Sequence, residues 1–271
     1  MFDFRYHALS LVAVFLALGL GIVLGATIGD SLVSEANRDI RSSLREEVVD
    51  AREAAREARE GSERRDELIE TALPGLTEDL LAGDRVAVVS LGELPDQIES
   101  SSREAIEEAG GSVDSVSELP LPEALEGVIE PDSAKVRGRR LGRAIVRGGR
   151  PFRRLEREDP DVFRGEGKGA SEAVLYREPP GEDRSAERTE LERAFAAGLI
   201  EGVEIEVTIL VGVERGSTEP SQVSFFDDRG LSSIDTIDTP AGRIALALVL
   251  DGAPQARYGL KDSAERPIPE P

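Results

Sequence analysis

Hydrophobic and polar positions fall into three regimes along the chain. From Ala8 to Gly29 (ALSLVAVFLALGLGIVLGATIG) no position is charged and most are apolar. As a helix, about 22 residues at 1.5 Å rise span about 33 Å, enough for a hydrocarbon core of about 30 Å. The run predicts an uncleaved transmembrane anchor over residues 1–29. A cleaved signal peptide is the competing reading, but the run exceeds a usual h-region and no clean Ala-x-Ala site follows it.

Residues 30–73 form the second regime, rich in Ala, Arg and Glu and free of proline up to Pro74. They predict a helical stalk. Ile40, Leu44, Val48, Ala51, Ala55, Ala58, Ser62 and Ile69 recur at spacings of three, four or seven, a seam first apolar and then small. That pattern fits a parallel, coiled-coil-like homodimer, and a solvated single helix remains open. Pro74-Gly75 marks an interruption.

In the third regime, residues 84–260, short β-branched runs alternate with helical periods. Arg85–Leu91 (RVAVVSL) and Ser112–Val116 read as strands flanking a helix over Asp96–Ala109. Strands are also predicted at Glu172–Tyr176, Val203–Gly212 and Gln222–Phe226, with helices at Ala186–Ala197 and Ala241–Leu250. The strand–helix–strand order predicts a Rossmann-like three-layer α/β domain with parallel strands. The tail, 261–271, reads as disordered.

Composition narrows the chemistry. A net charge of −21 opposes nucleic acid as a partner. There is no cysteine, one methionine (Met1) and one histidine (His7). No thiolate or multi-histidine metal site and no Ser-His-Asp triad can be built beyond residue 7. The chain is therefore read as non-enzymatic, with no catalytic residue, metal ligand or cofactor assigned.

Four constellations were weighed against plainer roles. Ala13, Ala17, Gly21, Gly25 and Gly29 recur every fourth position, a small-xxx-small face through which membrane helices pack. Lys135–Arg157 is a basic stretch in an acidic chain; Arg139, Arg140, Arg143, Arg147 and Arg150 form a possible partner or anion patch. The preferred reading there is a cover helix with Leu141, Ile145 and Val146 inward. Asp227, Asp228, Asp235 and Asp238 could hold a hard cation but read better as turn residues. Gly165-x-Gly167-x-Gly169 lacks phosphate-loop spacing and reads as a flexible connector.

Three segments together resemble the actinobacterial copper transport protein B family. They are the opening FDFRYHALSLVAVFLALGLGIVLG (Phe2–Gly25), SSIDTIDTPAGRIALALVL (Ser232–Leu250) and ARYGLKDSA (Ala256–Ala264). The resemblance implies a single-pass cell-membrane protein, N-terminus cytoplasmic and α/β domain extracytoplasmic. It also implies a link to copper homeostasis or efflux, with the chain acting as an oligomer. A second role it implies is control of cell separation through a membrane protein partner and cell-wall hydrolases. The second role needs no soft metal ligands and agrees better with the composition. The leading expectation is thus a binding or scaffold protein of the envelope, dimeric through the membrane helix and stalk.

Overall fold

The computed structural model describes the backbone of residues 4–181 and 185–270; the side chains of 4–8, 25–43 and 72–74 fall outside the described set. Two compact units result, Met1–Arg64 and Arg65–Pro271.

The described residues of the first unit lie within one helix, α1 (Phe4–Thr77). The predicted transmembrane anchor is corrected here: among the described residues no helix is long and apolar enough to cross a membrane. The apolar run is not an element of its own but the opening of a helix that is otherwise charged. Its described side chains extend from Leu9 to Leu24. Nor does helix α1 break at Pro74-Gly75. In the stalk, Leu44, Val48 and Val49 are exposed.

The second unit is a mixed α/β fold. After the end of α1 come β1 (Arg85–Leu91), α2 (Asp96–Glu108), β2 (Ser112–Leu119), α3 (Leu121–Ala124), α4 (Pro131–Arg147) and α5 (Gly149–Glu158). Then follow β3 (Phe163–Gly165), β4 (Glu172–Arg177), α6 (Ala186–Glu204), β5 (Ile209–Val213) and α7 (Val223–Asp227). The chain closes with β6 (Ser232–Ile234), α8 (Pro240–Leu250) and β7 (Arg257–Tyr258). The seven strands lie in the order β3-β2-β1-β4-β5-β6-β7. All neighbours are parallel except β3, which pairs antiparallel with β2. Strand order reverses between β1 and β4, the topological switch point of a doubly wound sheet.

The alternation of side chains divides the core into two layers. Val86, Val88, Val174, Tyr176, Val211 and Val213 face α2 and α8, where Ile98, Ile106, Leu246 and Leu250 meet them. Ala87, Val89, Ala173, Leu175 and Leu210 face α4 and α6, against Ile145, Phe195 and Leu199. Strands buried on both faces read as near-continuous apolar runs, as RVAVVSL does.

Three expected elements differ. Gln222–Phe226 is helical, because its buried residues Val223 and Phe226 are three apart, a helical and not an alternating spacing. The strand expected from Val203 starts only at Ile209, since Val203 lies on the buried face of α6 with Leu199 and Ile200. The expected disordered tail is packed: the backbone N–H groups of Gly259 and Glu265 donate to the carbonyls of Arg266 and Arg257, and Ile268 rests on the core.

On one face, α4 and α6 run side by side with two glycines each. An added Cβ at Gly138 would stand 2.2 Å from the Phe195 carbonyl oxygen, and one at Gly142 2.4 Å from that of Leu199. Gly198 and Gly202 meet the carbonyls of Lys135 and Arg139 at 2.0 and 2.2 Å in the same sense. The small-xxx-small device occurs here in the α/β unit. Backbones this close exchange weak Cα–H···O contacts and dense dispersion contacts.

Candidate functional site

Ligands of doubly wound sheets bind outside the carboxyl ends of the strands, at the switch point. In this chain the β1–α2 turn reads Leu91-Gly92-Glu93-Leu94-Pro95-Asp96. Gly92 has φ +106°, and an added Cβ would lie 2.2 Å from the Glu178 carboxylate that follows β4. Glu178 accepts a hydrogen bond from the Glu93 N–H at 3.2 Å. Asp96 and Glu99 occupy the first turn of α2. The chain's own carboxylate thus sits where a bound phosphate would, among further acids that repel an anion.

A second cluster lies at the carboxyl ends of β5, β6 and β7, and joins two of the sequence segments that carry the family resemblance. Asp235, 1% exposed, accepts hydrogen bonds from the N–H groups of Leu260 (2.9 Å) and Lys261 (3.2 Å). Burial raises its pKa above the ordinary aspartate value, an effect the two backbone donors oppose. Gly259 (φ +140°) makes this approach possible, since a Cβ there would overlap the Asp235 carboxylate.

The Lys261 ammonium reaches Glu214 at 2.6 Å. Glu214 is also 1% exposed and accepts from the Ser221 hydroxyl at 2.8 Å and from the Gln222 N–H. Each charge in the cluster has a partner, which is what makes its burial tolerable.

Asp238-Thr-Pro-Ala-Gly-Arg243 has an equally local explanation. Thr239 caps α8 by accepting from the Gly242 N–H at 3.1 Å, and Pro240 takes the first helical position. Gly242 lets that turn touch the Thr236 carbonyl, 2.0 Å from an added Cβ. Asp238 accepts from the Gly216 N–H at 2.8 Å. Arg243, with its side chain 11% exposed, pairs with Glu70 near the end of α1 and with Glu104 of α2 at 3.5 Å. The segment therefore fastens the end of α1 to the sheet's helical layer.

The remaining sequence candidates are dispersed. Arg139 pairs with Glu201 at 3.0 Å and Arg143 with Glu206, both carboxylates belonging to or following α6. Arg140, Arg147 and Arg150 are exposed. Leu141 is half-buried, and Ile145 and Val146 are buried. Asp227 pairs with Arg257, so the four aspartates do not converge, and among the described residues no group of three acidic, His or Cys side chains could hold a metal ion.

The glycine loop is not a free connector. Asp114, 2% exposed, accepts from the N–H groups of Lys168 (2.9 Å) and Gly169 (3.1 Å), and Gly167 lies against Phe152. Of the small-residue face, Ala13, Ala17 and Gly21 are exposed, and an added Cβ at Gly21 meets nothing within 4 Å; Gly25 and Gly29 lie outside the described residues.

Fold and site define a doubly wound α/β unit with an occupied switch point, preceded by a long charged helix. Residues 1–126 match the family model described as "Copper transport outer membrane protein, MctB". Two curated relatives named "Copper transporter MctB", from Mycobacterium bovis (strain ATCC BAA-935 / AF2122/97) and Mycobacterium tuberculosis (strain ATCC 25618 / H37Rv), are each 32% identical over 118 residues. That alignment covers 42% of this chain and 36% of each relative, so the chain spans about a third of the length of the curated relatives it matches. The resemblance to this family is shown over α1 and the first β-α-β unit. The family's description is that of an envelope-associated copper transport protein.

Proposed function

We propose that the chain is an envelope protein that works by non-covalent association, with a second copy of itself along the stalk and with a protein partner, and not by catalysis. The observation that carries this reading is the Glu178 carboxylate in the switch-point crevice, which fills the place where such folds hold a substrate or cofactor. A helix with exposed Leu44 and Val48 gains by covering that seam with another helix, at roughly 25 cal/mol per Å² of apolar surface.

The test exploits a chain without cysteine. In the intact protein, Val48→Cys or Ala55→Cys is expected to form an oxidised covalent dimer, whereas Glu53→Cys, on the opposite side of the helix, is not. Equal yields at all three positions would remove the seam from the account.

A second reading follows from the relatives' name: a copper homeostasis component acting as an oligomer. The two separate in cells. Replacing Leu44 and Val48 together by glutamate should impair cell separation and leave copper tolerance unchanged if partner binding is the role. A copper-sensitive strain that separates normally supports the second reading instead.

A further inference from the structure

Where β2 ends, the α/β unit holds an apolar cavity of about 400 Å³ that none of the interactions above uses. Its volume falls within the roughly 300–1,000 Å³ of small-molecule sites. Leu119, Ala144, Leu155 and Phe163 supply apolar wall, contributed by β2, α4, α5 and β3. Like the switch point it opens beside the carboxyl end of a parallel strand, where folds of this kind place ligands.

Its charged lining comes from Glu123, Arg137, Arg140 and Asp159. Arg137 and Arg140 line both this cavity and an adjoining open depression formed with Asp132, Ser133 and Val136. Arg139 and Arg143, on the neighbouring face of α4, each hold a glutamate. Arg137 donates only to the Glu126 carbonyl at 2.9 Å, and among the described residues neither Arg137 nor Arg140 has a carboxylate at ion-pair distance. Glu123 and Asp159 also line the cavity without reaching either guanidinium. In a chain of net charge −21, Arg137 and Arg140 place two cationic groups beside an apolar cavity. Arginine forks match a carboxylate or phosphate bidentately.

We propose that this cavity is a binding site for a small amphipathic anion, its apolar acyl or aryl body inside and its carboxylate or phosphate on Arg137 and Arg140. This site is independent of the association reading above.

The probe is 4-phenylbutyrate, titrated into the intact protein by calorimetry beside 4-phenylbutanol, 4-phenylbutylamine and inorganic phosphate. The expected result is saturable binding of phenylbutyrate with a Kd on the order of 0.1–1 mM, and weaker binding of the other three. Arg140→Gln should weaken phenylbutyrate roughly tenfold and leave phenylbutanol unchanged. Ala144→Phe, which fills the cavity from α4, should abolish both. Thermal unfolding of each variant shows whether its fold is retained, and Arg140→Gln, at an exposed position, keeps the test valid if Ala144→Phe unfolds. No binding of phenylbutyrate, binding unchanged in both variants, or tighter binding of the amine or of phosphate overturns the proposal.

Discussion

The carboxylate of Asp235, at the end of β6, accepts the N–H of Leu260 at 2.9 Å and so ties the strand to a segment 25 residues further on. With Lys261 bound to Glu214, this contact closes the carboxyl edge of the sheet. Replacing Asp235 by Ala leaves the part-buried N–H donors of Leu260 and Lys261 without their acceptor and should cost about 1–2 kcal/mol, measured by urea unfolding.

The pH dependence of that contact has a definite sign. Burial raises the Asp235 pKa above its unfolded value. Between those two values the folded chain binds more protons than the unfolded one, so stability falls as pH rises. The contribution is fully present below the unfolded pKa and lost above the folded one. Unfolding of the wild type and Asp235→Asn between pH 3 and pH 7 should show the wild type losing ground to the variant as pH rises. A difference that grows in the wild type's favour contradicts this.

The paired glycines of α4 and α6 predict an asymmetry among Gly→Ala substitutions. Gly138→Ala and Gly202→Ala each force a Cβ against a backbone carbonyl at 2.2 Å. Each should destabilise by about 2–4 kcal/mol through separation of the helices. Gly61→Ala, in α1 with nothing within 4 Å of the new methyl, should stabilise its helix by about 0.5–1 kcal/mol. Thermal melts of the three variants check both directions.

Arg243 supplies a third expectation. Its guanidinium holds Glu70 of α1 and Glu104 of α2. Arg243→Ala should release the end of α1 while leaving the sheet intact. Hydrogen exchange should then quicken over residues 66–77 and remain unchanged in β1 and β4. Uniform loss of protection would mean that Arg243 supports the whole unit instead.

Local periodicity made the central elements legible. RVAVVSL has no polar face to confuse its assignment, and Thr239-Pro240 marks the start of α8 by side-chain capping and a preset φ. The short strands β3, β6 and β7 have two or three residues each, too few to display an alternation. The site was less legible because its chemistry is long-range. Asp235 reads locally as a turn residue or, less well, a cation ligand, yet its partners are backbone groups 25 and 26 residues away. Glu214 and Lys261 carry no local motif and meet across 47 positions. The Gly138-xxx-Gly142 and Gly198-xxx-Gly202 spacings were a readable signal, overshadowed by the same spacing in the apolar N-terminal run.

On the reading proposed above, the chain acts through its surfaces and holds no copper of its own, because of its donor set as much as its occupied crevice. Soft copper(I) seeks thiolate or thioether and copper(II) imidazole, and beyond His7 the sequence supplies none of these. Copper(I) and copper(II) titrations of the intact protein at neutral pH, followed by calorimetry, test it most directly. Only weak, unsaturable heats are expected. A saturable one-to-one site of micromolar or tighter affinity, about −8 kcal/mol, would contradict it.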